Sequence, residues 1–146
     1  MADEQALLDL IAGTKEGVLA TVKPDGHPQL SNIFYVWDPD ERVARISTTA
    51  DRQKARNIAR NPGAALYVSG EHFFSYAVAE GDATLSDVTS SPGDEVGQEL
   101  VAIHEALMGP QDADEAFPKL VEDRRLVVTL RVTRVYGVHL DSPPGG

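Results

Sequence analysis

The chain is predicted to be an α+β protein, mainly β, in which about six antiparallel strands curl into a closed or partly closed barrel with helices at its rim. Three observations predict it. Strand-like runs are separated by the short turn clusters Pro24-Asp25-Gly26 and Asp38-Pro39-Asp40, and connections that short favour antiparallel neighbours. The long run "RRLVVTLRVTRVYGVHL" alternates Leu126, Val128, Leu130 and Val132 with Val127, Thr129, Arg131 and Thr133, the period-two pattern of a strand. About six strands accompany only a few helical stretches, which suggests helices packed at the rim of a barrel.

Taken in order, residues 3–12 predict a short helix, because Leu7, Leu8, Leu10 and Ile11 recur at helical spacing and Gly13 follows as a stop. "GVLATVKPDGHPQLSNIFYVWDPDERVARISTT" then predicts three strands. In "TADRQKARNIARNPG", Thr49 or Asp51 can cap a helix that begins near Arg52 and ends at Asn61-Pro62-Gly63. "AALYVSG" and "FFSYAVAEGDATLSDV" predict two further strands, the second broken near Glu80-Gly81-Asp82. Residues 94–109 predict an amphipathic helix with Gly109-Pro110 as its stop, and 112–123 a shorter one. The tail "DSPPGG" is expected to fray. With no repeat and no linker, residues 1–146 form a single domain.

The charge balance narrows the function. Thirteen Lys+Arg against 23 Asp+Glu give a net charge of -10, which repels nucleic acid and anionic membranes. The acidic N-terminus is unlike a secretory signal, and no apolar run approaches the ~20 residues of a membrane span. A cytoplasmic protein is expected. Cysteine is absent, which excludes disulfides, thiolate metal sites and a Cys nucleophile. His27, His72, His104 and His139 are scattered without metal-ligand spacing, so no metal is expected and each is taken as a surface or satisfied histidine. No G-x-S-x-G, G-x-G-x-x-G or P-loop occurs.

Two segments remain. In "DGHPQLSN" the side chains of Gln29, Ser31 and Asn32 are poor choices for a core strand, but backbone and short polar groups of this kind suit a flat polar ring. In "STTADRQKARN", Ser47, Thr48 and Thr49 end a strand just before a helix carrying Arg52 and Lys54. Hydroxyls, a helix N-terminus and two cations suit a phosphate; a plain capped surface helix is the other reading. Phe34, Tyr35, Trp37, Phe73, Phe74 and Tyr76 are candidates for the lining of an apolar pocket or simply for the core.

"GVLATVKPDGHPQLSN", "ISTTADRQKARNIARNPGAALYV", "YAVAEGDATLS" and "EDRRLVVTLRVTRVYG" resemble, in order, the actinobacterial flavin/deazaflavin oxidoreductases of the pyridoxamine-5'-phosphate-oxidase-like split-barrel superfamily, above all the branch that uses coenzyme F420. The resemblance spans roughly residues 5 to 138 and implies a six-stranded antiparallel split β-barrel with flanking helices. It also implies a homodimer with the cofactor at the subunit interface, and hydride transfer from reduced F420 to a conjugated small-molecule acceptor of enone, quinone or tetrapyrrole type. Alternatives are an FMN-binding oxidoreductase and a non-catalytic F420 carrier. Carried over residue by residue, Pro28, Gln29, Leu30, Ser31, Asn32 and Ile33 resemble the wall beside the ring. Ser47, Thr48, Thr49 and Ala50, with Arg52, Lys54 and Asn57, resemble the segment that holds the ribityl-phosphate. By the same resemblance, Arg56 and Arg60 are assigned to the acidic oligoglutamate tail of the cofactor rather than to its phosphate. The region of Phe74, with Ser75, Tyr76 and Ala77, resembles a stretch contributed by the partner subunit. The chain lacks the C-terminal Arg- and His-containing segment of the pyridoxamine phosphate oxidases proper, which disfavours that activity. No catalytic residue is assigned, and His27 is left out.

Overall fold

A computed structural model describes residues 3–140; the tail expected to fray, 141–146, lies outside the described residues. Helix α1 (Glu4–Ala12) starts at Asp3, whose carboxylate accepts from the Gln5 amide, and buries Leu7 and Ile11, one turn apart. Strands β1 (Glu16–Val22) and β2 (Pro28–Phe34) form a hairpin paired from Glu16↔Phe34 to Val22↔Pro28. Its turn needs Gly26, whose φ is +89°. A short β3 (Val36–Asp38) pairs with β4 (Val43–Thr49). Helix α2 (Gln53–Arg60) leads to the adjacent strands β5 (Gly63–Ser69) and β6 (Tyr76–Leu85). Helices α3 (Glu95–Met108) and α4 (Ala113–Glu122) then precede the long β7 (Arg125–Val138).

All pairings are antiparallel, and the strand order is β2-β1-β5-β6-β7-β4-β3. The fold is thus the α+β, mainly β, curled antiparallel sheet that the sequence predicts, with seven strands among the described residues where six were expected. The extra strand arises because the run "IFYVW" is divided at Tyr35: Phe34 pairs with Glu16 of β1, whereas Val36 pairs with Arg45 of β4. Strands β2 and β3 lie at opposite edges of the sheet, yet one residue joins them, so the chain itself draws the two edges together into a barrel.

Tyr35 secures this crossing. Its amide donates to the Lys15 carbonyl at 2.9 Å, and its phenol, 1% exposed, donates to the Ile11 carbonyl at 2.6 Å. Burial drives the phenol's pKa upward, keeping it a neutral donor. Tyr35→Phe leaves that carbonyl without its partner and is expected to lower stability by about 1–2 kcal/mol, measured by urea denaturation.

Leu126, Val128, Leu130 and Val132 of β7 face the barrel interior beside Leu19, Ile46 and Leu66. Val127, on the other face, is covered by Leu100, Ile103 and Leu120 of α3 and α4. Helix cover on one side and barrel on the other explain why Leu126, Val127 and Val128 are apolar in succession. The break expected near Glu80-Gly81-Asp82 is a β-bulge between Glu80 and Gly81. A Cβ at Gly81 would collide with the Arg131 carbonyl, so the bulge requires glycine. Among the described residues, the outer face of β2, β5 and the end of β7 leaves Leu30, Phe34, Tyr67, Tyr136 and Val138 exposed.

Candidate functional site

Because β3 pairs only with Val43, Ala44 and Arg45, the edge of β4 from Ile46 to Thr49 has no strand beside it on that side. The crossing at Tyr35 brings β2 towards this free edge, but no ladder joins β2 to β4. The split between them is a groove of about 670 Å³. Asn32, Ile33 and Phe34 of β2 form one wall, and Ser47, Thr48 and Thr49 of β4 the other. Arg52 and Lys54 stand at the α2 end, Lys15 and Glu16 at the start of β1, and His104, Leu107, Met108 and Arg125 complete the lining.

The start of α2 is built to accept negative charge. Arg52 occupies the N-cap position and makes no side-chain cap bond. Thr49 and Asp51, the caps expected from sequence, bond to each other instead, the hydroxyl donating to the carboxylate at 2.6 Å. The first-turn amides therefore have no side-chain acceptor, and the first turn carries no acid. Lys54 is half-buried, and burial together with the Arg52 charge holds its pKa below the usual lysine value. Among the described residues, no ion pair involves Arg52, Lys54 or Arg56. In a chain of net charge -10, this is a corner of excess positive charge, which the Asp51 carboxylate beside Arg52 and Arg56 offsets only in part.

The residues singled out from sequence divide into two groups. Asn32, Ile33, Ser47, Thr48, Thr49, Arg52 and Lys54 meet in the groove. Pro28, Gln29, Leu30, Ser31, Ala50, Asn57, Ser75, Tyr76 and Ala77 do not line it. Pro28 and Leu30 are exposed. Asn57 is fully buried; its amide donates to Thr21 Oγ1 at 3.0 Å and to Gln29 Oε1 at 2.9 Å, and its carbonyl accepts from Gln53 Nε2 at 2.8 Å. Asn57 and Gln29 thus tie α2 to the β1–β2 hairpin. Ala50 packs against the barrel core. Ser75 is buried and accepts from the Leu140 amide at 2.9 Å, Tyr76 stacks on Tyr67 with ring centroids 5.7 Å apart, and Ala77 lies in the core. All three stand at or on β6, with β1 and β5 between them and β2. Arg60 donates to the Val22 carbonyl at 2.5 Å, and His27 sits exposed on the hairpin turn beside Asp25. Of the aromatics, Tyr35 belongs to the core, Trp37 packs on it, and Phe34 lines the groove.

Sequence reasoning missed His104 and Arg125. His104 Nε2 lies 2.9 Å from Ser47 Oγ, and Arg125 Nη1 donates to the same oxygen at 3.0 Å. Burial and the Arg125 charge hold the His104 pKa below the usual histidine value. One signal was available: His104 falls four residues after Leu100 and three before Leu107, on the apolar face of its helix. Arg125 becomes visible only once the β4–β7 register sets it opposite Thr49.

The model of the pyridoxamine 5'-phosphate oxidase family matches residues 3–139. Among solved structures, an F420 reductase is 29% identical over 88% of this chain and 94% of its own, with a TM-score of 0.66. A conserved hypothetical protein from Mycobacterium tuberculosis is 24% identical over 100% of this chain and 94% of its own, with a TM-score of 0.69. HutZ, a haem storage protein from Vibrio cholerae, is 16% identical over 94% and 95%, with a TM-score of 0.65. The last two likenesses are of fold. The split barrel and the family match, which spans nearly every described residue, agree: this chain belongs to the pyridoxamine 5'-phosphate oxidase family.

Proposed function

We propose that this protein is an F420-dependent reductase that passes hydride from the reduced cofactor to a conjugated organic acceptor of enone, quinone or tetrapyrrole type. The observation that carries the reading is the half-buried, unpaired Lys54 beside Arg52 and the uncapped start of α2, all opening on the split. An anionic ligand group is what that corner lacks. The likeness to an F420 reductase at 29% identity points to which ligand brings it.

The residues fit the cofactor. Arg52 and Lys54, with the hydroxyls of Thr48 and Thr49, would hold its phosphate, and the β2 wall at Asn32 and Ile33 would stand beside its ring. Bound there, the deazaflavin supplies the hydride chemistry. The chain's own contribution is to orient the ring against the polar wall and to offer the acceptor an apolar surface at Phe34, Leu107 and Met108. A homodimer belongs to the same proposal. Leu30 at 64% and Phe34 at 61% exposure, with Tyr67, Tyr136 and Val138, make an apolar sheet face suited to a second copy. Tyr76, stacked on Tyr67 at that face, would be contributed across the interface, whereas the side chains of Ser75 and Ala77 are buried within their own subunit.

FMN offers a phosphate to the same cradle, so the test sets the two cofactors side by side. Purified protein is mixed with each and passed through gel filtration. F420 is expected to co-elute with a species of twice the 15.7 kDa chain mass, and added salt to weaken its retention more than that of FMN, because it carries extra carboxylates. Retention of FMN alone, or of neither, overturns the reading. Tight F420 binding without reduction of any acceptor class would leave a carrier.

A further inference from the structure

We infer that Ser47, Arg125 and His104 form a second oxyanion site, at the α3 side of the groove and separate from the Arg52/Lys54 corner. The argument begins with Arg125. A guanidinium offers five N–H donors, yet among the described residues Ser47 Oγ is the one side-chain acceptor that Arg125 meets, and no ion pair includes it. It is not a solvated surface arginine. It is half-buried and stands where the groove meets a second cavity of about 650 Å³, both of which it lines together with His104. A half-buried guanidinium whose protein partner is a neutral hydroxyl is matched by a planar carboxylate or another oxyanion.

The three side chains come from separate elements held in fixed register. Ser47 is paired with Val127 two residues along β7 from Arg125, so both side chains lie on the face that α3 covers, and His104 descends onto them from that helix. Arg125 donates to Ser47, which leaves the serine proton free for His104 Nε2 while the imidazole is neutral. Burial and the neighbouring guanidinium favour that neutral form. A bound oxyanion changes the balance: it neutralises Arg125, offers an acceptor to His104, and favours the imidazolium. Binding and protonation then assist each other, and by reciprocity each strengthens the other by the same factor.

The other charged groups facing this cluster are Lys15, Glu16, Arg52 and Lys54 along the groove, and Asp112, Glu115, Lys119 and Asp123 around the second cavity. Lys119 and Asp123 are paired at 3.2 Å. The oxyanion is carried either by the ligand whose phosphate sits at Arg52 and Lys54 or by a separate acceptor. This inference rests on the proposed ligand groove, but its test does not require F420 to bind.

Histidine resonances are followed by NMR between pH 5 and 8, with His104 assigned from the spectrum of His104→Gln. Acetate, which does not titrate above pH 6, is the probe. Saturating acetate is expected to raise the His104 midpoint by about one unit, equivalent to about tenfold tighter binding to the protonated form. Arg52→Ala/Lys54→Ala keeps that response if the sites are separate, whereas Arg125→Gln removes it and raises the acetate-free midpoint. Arg125→Lys, which retains charge without the fork, keeps a weakened response and serves if Arg125→Gln does not fold. An unmoved His104 midpoint, or a response lost in the Arg52/Lys54 variant, overturns the inference. In the F420 complex, a shifted midpoint before acetate is added assigns the oxyanion to the same ligand, and a shift that needs acetate assigns it to a separate molecule. If F420 fails to bind while acetate still moves His104, the cofactor reading fails and the site stands.

Discussion

Replacing Arg52 and Lys54 together with alanine is expected to weaken F420 binding by roughly 2–4 kcal/mol, about thirtyfold to a thousandfold, with the fold intact. A hydrogen bond to a charged group contributes roughly 1.5–3 kcal/mol. Arg52 is exposed, so solvent screens its share to the lower end of that range. Lys54 is half-buried, and its ammonium is held there against a burial cost that no protein carboxylate offsets among the described residues. A phosphate supplies the missing charge, so the lysine should account for the larger part of the loss. Neither residue packs in the core, and the apo protein should therefore unfold at an unchanged denaturant midpoint. Fluorescence titration at fixed salt measures the effect. Unchanged affinity would show that the phosphate is held elsewhere.

Asn57→Leu should act through the scaffold instead. Asn57 is 0% exposed, and its side chain joins Thr21 of β1, Gln29 of β2 and Gln53 of its own helix. Leucine has a similar volume but no polar atoms. The substitution strands the 1%-exposed Thr21 hydroxyl and removes the donor to the half-buried Gln29 carbonyl. An unmet buried group costs about 1–3 kcal/mol and the half-buried partner adds less, giving roughly 3 kcal/mol in all and a Tm lower by roughly 10 °C. Because Asn57 lies on the helix that carries Arg52 and Lys54, the loosened α2 should also bind F420 less tightly. Calorimetry of the apo protein separates the two effects. A Tm within 2 °C of wild type, read as roughly 0.5 kcal/mol, would mean that the network is redundant.

What was legible in the sequence follows from the range of each signal. Turn clusters and hydrophobic period act over a few residues, so the hairpin at Asp25-Gly26, the amphipathic α3 and the alternation along β7 could be read directly. The polar character of β2 and the cations of α2 were likewise visible as departures from an ordinary core strand and an ordinary helix. The division of "IFYVW" at Tyr35 was not, because neither glycine nor proline marks it; the strand changes partner without changing its local conformation enough to leave a trace. Side-chain partners were harder still. Asn57 has the chemistry of a ligand contact and serves as a strut, since Gln29, 28 residues away, takes its amide. Asp51 has the chemistry of a cap, but Thr49 claims it. His104 and Arg125 meet Ser47 across 57 and 78 residues of chain, distances at which only the β4–β7 register and the seat of α3 decide who is adjacent.

The crossing at Tyr35 has a bearing on how the groove behaves as a container. Among the described residues the walls at β2 and β4 share no ladder, so opening the split breaks no backbone hydrogen bond across it. Elsewhere in the sheet, a comparable displacement would rupture a row of such bonds. Compliance is therefore concentrated along the split. A guest thicker than a single flat ring would be admitted by tilting the β1–β2 hairpin as a unit about the one-residue joint, its own ladder intact and the strain taken by the β1–β5 pairing behind it.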